Sequence, residues 1–165
     1  MTLFERLTQA ADDVTAAFAA NRLALDDARD IRRAVDARLS AEFAQDQARL
    51  AELTATAADP TRAGAVRRMA VSDAEDIKQH KFAPTEAERA AFDAALDEAE
   101  AALADARRLT DTFKALYESC IGEMKQRRHE VIGGQCDIEL RMNWLESERR
   151  DFDQFIAAWE KRGVL

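Results

Sequence analysis

The sequence contains few of the residues that interrupt helices. Five glycines and two prolines occur in 165 residues, and residues 2–58 contain neither. These two residue types are the least favourable in a helix interior, whereas alanine, which is the most favourable, occupies 35 positions. The apolar fraction of 47% is sufficient to bury a core without metal or disulfide support. The composition therefore predicts an all-α chain.

Cysteine is scarce, and long apolar runs and a net positive charge are lacking. The two cysteines, Cys120 and Cys136, have no metal-type spacing, which indicates reduced thiols rather than a disulfide framework. No apolar run approaches the length of a membrane span, and no secretory signal pattern begins the sequence. The net charge of -8 argues against a nucleic-acid surface. We expect a cytoplasmic protein that contacts neither membrane nor nucleic acid.

Motifs for nucleotide or hydrolytic chemistry are missing from the sequence. It contains no Walker loop, GxGxxG, HExxH, GxSxG or CxxC pattern. A metal site built from His129, Glu130, Cys136 and Asp137 is conceivable, but these residues lack standard ligand spacing. We therefore expect no cofactor and no enzymatic activity.

A seven-residue repeat dominates residues 85–132. Thr85 and Glu88 form the S/T-x-x-E pattern of a capping box, which predicts that a helix begins here. Apolar or small residues then recur at alternating steps of four and three, with Arg127 as the one strong exception. They are Phe92, Leu96, Ala99, Leu103, Ala106, Thr110, Phe113, Tyr117, Cys120, Met124 and Val131. A repeat of 3.5 residues per turn is typical of a coiled coil, and Gly133-Gly134 predicts the helix end.

A first long helix is predicted over about residues 2–58. Thr2 and Glu5 form another capping box, and a similar apolar seam follows. The seam slips after Ala28 and weakens towards its C-terminal end. Asn21 occupies a seam position, where it either fixes the register through a polar partner or lies at an edge open to water.

Residues 59–84 form a predicted connector that contains a short helix. The capping-box pattern Ser72–Glu75 places this helix at about residues 73–80. Residues 60–84 carry five basic and three acidic side chains, whereas residues 86–105 carry seven acidic side chains and one arginine. Either the basic connector folds back on this acidic segment, or its cations bind an acidic partner. The cations that we assign to partner binding are Arg67, Arg68 and Lys81.

A shorter C-terminal helix is predicted over about residues 136–162. Its large apolar side chains cover more than one narrow stripe, so a single neighbouring helix would not bury all of them. They are Trp144, Phe152, Phe155, Ile156 and Trp159. We expect this helix to be the main partner-binding surface; the alternative is that its faces fill against the two long helices.

Together these patterns predict one domain over residues 1–165: an elongated antiparallel coiled-coil or helical bundle of two long helices and a shorter C-terminal helix. We expect a non-enzymatic structural or protein-interaction protein, of the assembly, scaffold or adaptor type. We also expect it to self-associate. Arginine outnumbers lysine 19 to 5, which with the alanine content favours a bacterial or phage origin. The alternative is an acidic inhibitor that mimics nucleic acid and blocks a nucleic-acid-binding protein.

Overall fold

The computed structural model describes residues 2–118 and 125–162, which form four helices and no strand. The helices are α1 (Leu3–Ala58), α2 (Gly64–Lys78), α3 (Glu86–Glu118) and α4 (Lys125–Lys161). An all-α helical bundle is thereby confirmed. None of the helices in the described ranges is long and apolar enough to cross a membrane.

The chain divides into two compact units. Unit 1 comprises Met1–Ile31 and Arg89–Asp151, and unit 2 comprises Arg32–Glu88 and Phe152–Leu165. The single domain over residues 1–165 stays a prediction.

Both long-helix starts that the capping boxes predicted are confirmed. At the start of α1, Glu5 N donates to Thr2 Oγ1 over 3.1 Å, and Thr2 N donates to Glu5 Oε2 over 2.7 Å. The same reciprocal pair joins Thr85 and Glu88 at the start of α3, at 3.1 and 2.8 Å. Each box satisfies backbone donors that a helix start leaves without an intrahelical acceptor.

Helix α2 begins earlier than the sequence predicted. It runs over Gly64–Lys78 rather than from about residue 73 to residue 80, so Ser72 lies inside the helix and not at its cap. The segment before Ser72 contains no proline after Pro60 and is rich in good helix formers. A capping-box pattern marks a position at which a helix can begin. Where helix-forming residues precede that position, the helix can begin earlier, as α2 does at Gly64.

The helix break predicted at Gly133-Gly134 is wrong, because both glycines lie inside α4. The predicted boundaries of 85–132 and 136–162 are accordingly replaced by α3 and α4, while residues 119–124 lie outside the described residues. Glycine permits a left-handed helix stop but does not require one, and inside a helix it costs about 1 kcal/mol relative to alanine. Side-chain positions at His129, Glu130, Cys120, Cys136 and Asp137 also lie outside the described residues.

The core of unit 1 follows the predicted seams. In α3, the predicted seam is buried at every position from Phe92 to Phe113. Leu7, near the start of α1, packs in one cluster with Phe113, and Asn21 contacts Ala99. Residue numbers thus rise along α1 while they fall along α3, so these two segments run in opposite directions. Coiled-coil winding and elongation stay predictions.

Asn21 is a buried polar contact between three helices of unit 1. Its side chain is fully buried, and its Nδ2 donates to the Ala99 carbonyl oxygen of α3 over 2.7 Å. A guanidinium nitrogen of Arg141, in α4, donates to Asn21 Oδ1 over 2.7 Å. Of the two interpretations that the sequence left open, the structure shows the polar partner across the seam.

We predict that Asn21→Ala lowers the free energy of unfolding by about 2 kcal/mol, because Arg141 and the Ala99 carbonyl lose a buried partner. Chemical denaturation monitored by circular dichroism measures the change. The matched control is Asn143→Ala, at an exposed position of α4, which should leave stability nearly unchanged. Equal stability of the two variants would contradict the assigned role of Asn21.

Arg38 joins the start of α3 to α1 within unit 2. Its Nε and one terminal nitrogen donate to both carboxylate oxygens of Glu88, over 2.7 and 2.6 Å. Its other terminal nitrogen donates to Glu42 over 2.6 Å, and the Ala83 carbonyl accepts a further bond over 3.3 Å. Bidentate arginine–carboxylate pairs fix geometry as well as energy. The cation that binds Glu88, at the acidic start of α3, therefore comes from α1 and not from the basic connector.

The same contact alters the ionisation of Glu88. Its hydrogen bond with Arg38 lowers the pKa of Glu88 below its ordinary value, although partial burial acts in the opposite direction. A carboxyl group with a lower pKa in the folded chain adds stability above its unfolded-state pKa. That stability is lost as the pH falls through the folded-state pKa.

We predict that Glu88→Gln is less stable than the wild type by about 1 kcal/mol at neutral pH, since the side chain is partly exposed. Glutamine can retain the capping-box acceptor, so the comparison isolates the charge. The difference should vanish in acid, below the folded-state pKa of Glu88. Denaturation curves at both pH values test this, with the exposed Glu86→Gln as control. A deficit that persists in acid would rule out the charge as its cause.

Candidate interaction surfaces

The structure separates the five C-terminal side chains that the sequence grouped. Phe152, Ile156 and Trp159 are buried in unit 2, and Phe155 is half-buried there. Trp144 lies in unit 1 and is 42% exposed. The three buried residues match the alternative in which this helix fills against its own chain. Of the five side chains, Trp144 alone is exposed.

An aromatic cluster forms the centre of unit 2. The Phe82 ring, which is fully buried, lies 5.6 Å from the Phe43 ring and 5.9 Å from the Trp159 ring, between centroids. The Arg162 guanidinium lies over both outer rings, 4.0 Å from the Phe43 centroid and 4.7 Å from the Trp159 centroid. Edge-to-face rings and a stacked cation stabilise this contact between α1, the connector and α4.

Truncation of Trp159 should therefore act on folding. We predict that Trp159→Ala lowers the free energy of unfolding by about 3–5 kcal/mol, as expected for a core aromatic side chain. Trp144→Ala is the matched control, and its loss should stay within about 1 kcal/mol because that side chain is exposed. Denaturant melts of both variants make the comparison. A stable Trp159→Ala protein would mean that this ring is not part of the core.

Trp144 belongs to an exposed surface of unit 1 that we call the Trp144 surface. It consists of Trp144 and Leu140 from one face of α4, together with Arg141 and Phe18. The Arg141 guanidinium lies 5.1 Å from the Phe18 centroid and 5.9 Å from the Trp144 centroid. Because the same guanidinium binds the buried Asn21, the arginine is held in place between the two rings.

The three connector cations that the sequence assigned to partner binding lie on and after α2. The side chains of Arg67, Arg68 and Lys81 are exposed, and within the described parts of the chain they form no side-chain hydrogen bond or ion pair. Val66 and Met69, beside the arginines, are large apolar side chains that are also exposed. This end of α2 combines cations with apolar surface. The sequence indicated the cations, but it gave no signal that Val66 and Met69 remain uncovered.

A cleft of about 380 Å³ lies between α3 and α4 in unit 1. Leu103, Ile138 and Met142 supply its apolar lining. The rim is charged on the α3 side and carries Glu100, Arg107, Arg108 and Asp111. Two of these rim charges are paired: Glu100 with Arg149 over 3.0 Å, and Arg108 with Asp105 over 3.3 Å.

No group of three or more His, Cys, Asp or Glu side chains within the described residues could hold a metal ion. His80 instead contacts Asp46 of α1, with Nδ1 at 2.5 Å from Oδ2, and its ring lies 4.5 Å from the Phe82 ring between centroids, at a tilt of 43°. This pair holds the connector against α1.

No protein-family model, curated protein or solved structure matches the chain. Its function is therefore inferred from the surfaces described above.

Proposed function

We propose that the chain is a non-enzymatic protein-interaction protein, of the assembly, scaffold or adaptor type, that binds a protein partner through the Trp144 surface. The observation that carries the proposal is the exposed Trp144 beside an immobilised Arg141. Tryptophan and arginine are the residues most enriched among those that dominate protein–protein binding energy.

The hydrogen bond between Arg141 and Asn21 supports this role for a physical reason. A long side chain that is ordered only on binding costs about 0.5–1.5 kcal/mol of conformational free energy. Arg141 is ordered before any partner arrives, because Asn21 fixes its guanidinium. Leu140 and Trp144 extend the apolar area next to this charge. A partner segment with an apolar side chain adjacent to a carboxylate fits this surface best.

The alternative function, an acidic mimic of nucleic acid, requires aligned and unneutralised carboxylates. On α3, Asp97 and Glu100 are both paired with Arg149, at 3.4 and 3.0 Å. This cation interrupts the acidic surface of the helix. The ion pairs favour a protein-interaction role over the mimic.

Affinity capture from the native organism, followed by mass spectrometry and binding measurements with the purified partner, tests the proposal. Trp144→Ala should weaken binding by a factor of about thirty or more, which corresponds to about 2 kcal/mol for a dominant contact. Leu23→Ala is the control, because Leu23 is more exposed than Trp144 and no other large apolar side chain among the described residues of α1 is exposed. Unchanged thermal stability of both variants excludes unfolding as the cause.

Two results would contradict the proposal. The first is a partner that binds the Trp144→Ala and Leu23→Ala variants equally. The second is a binding partner whose affinity depends on the acidic face of α3 and not on Trp144, as the mimic would require.

A further inference from the structure

One exposed face of α2 carries a cation in its N-terminal half and two carboxylates in its C-terminal half. Arg68 is the cation, and Asp73 and Asp76 are the carboxylates, whereas Lys78 in the last turn is paired with Glu75 over 3.0 Å. The Arg68, Asp73 and Asp76 side chains are exposed, and none of them pairs with a described residue. A second helix of the same sequence that lies antiparallel to α2 brings the cation of each copy level with a carboxylate of the other.

The start of α2 also lacks the capping boxes that stabilise the starts of α1 and α3. Its N-cap residue, Ala63, provides no side-chain hydrogen bond, and its first turn contains no acidic residue. The first backbone N–H groups are therefore left without an acidic or capping partner in this helix.

We infer that two copies of the chain associate through α2, antiparallel and about a twofold axis between Ala70 and Val71. In this register Arg68 of each copy faces Asp73 of the other, and Asp76 faces position 65 in the uncapped first turn. Each helix supplies the opposite charge that the other lacks. A twofold interface of this kind is self-complementary and closes as a dimer.

The apolar side chains of the face agree with this arrangement. Met69 and Ser72 flank the axis, and Val66 lies one turn further out, level with Glu75 of the other copy. Val66 is 43% exposed and Met69 is 66% exposed, so association removes apolar surface from water. A contact between two single helices of 15 residues is small. The dimer is therefore weak and depends on salt concentration.

This inference rests on the proposed function, in that the chain works through protein contacts, but it uses a different surface and a defined partner. The two can fail separately. If Trp144→Ala loses the external partner, the association of two copies through α2 is unaffected. If the wild type is monomeric, binding of an external partner through the Trp144 surface is unaffected.

Sedimentation velocity over a wide concentration range, at low and physiological salt, tests the inference. The wild type should form a dimer that salt weakens. Arg68→Asp and Asp73→Arg should each weaken self-association by about tenfold or more, because like charges then meet across the axis. Asp36→Arg, an exposed charge reversal on α1, is the control and should leave association unchanged.

Mixing the variants gives the sharpest test of the register. An equimolar mixture of Arg68→Asp and Asp73→Arg should associate as tightly as the wild type, since both contacts then join opposite charges. The double variant should likewise regain self-association but bind the wild type poorly. Melting temperatures show that the variants are folded. A wild type that stays monomeric, or single variants that dimerise normally or are not rescued by mixing, would overturn the inference.

Discussion

The antiparallel seam between α1 and α3 in unit 1 is the constraint on which the position of the Trp144 surface depends. A strip of apolar side chains alone can slide by a heptad, because successive turns of the seam look alike. Asn21 removes that freedom, since its amide reaches the Ala99 carbonyl in only one register. The same amide binds Arg141 and so positions α4 against the pair. The core contact and the orientation of Trp144 are therefore linked through one side chain.

The sequence predicted the elements whose causes are local. Two capping boxes and the seam from Phe92 to Phe113 depend on neighbours within one or two turns, and the structure contains both. The helix limits around Gly133-Gly134 and at Gly64 were predicted wrongly. Glycine permits a helix to stop, but whether it stops is decided by packing along the rest of the helix, which no local pattern contains.

Candidate surface residues were harder to predict than the fold. Trp144 and Trp159 stand on the same helix and look alike in the sequence, yet one is exposed and the other is buried. The difference arises from Phe43 and Phe82, which come from other segments and cover Trp159. Likewise, Arg38 and Glu88 are 50 positions apart, and no spacing rule joins them. Exposure of an apolar residue depends on distant partners, and these become visible only in the folded chain.

Charged side chains that have no partner among the described residues are the candidates for contacts with another chain. The net charge of -8 belongs to the whole chain and does not indicate which surface binds a partner. In both units, charged side chains are paired between helices, as Arg29 is with Glu148 over 3.1 Å. Such pairs satisfy partly buried groups and fix how helices pack. On α2, Arg68 and Asp73 instead lie exposed, and neither pairs with a described residue. An antiparallel second copy brings these opposite charges together, and that complementarity is the physical reason for proposing self-association there.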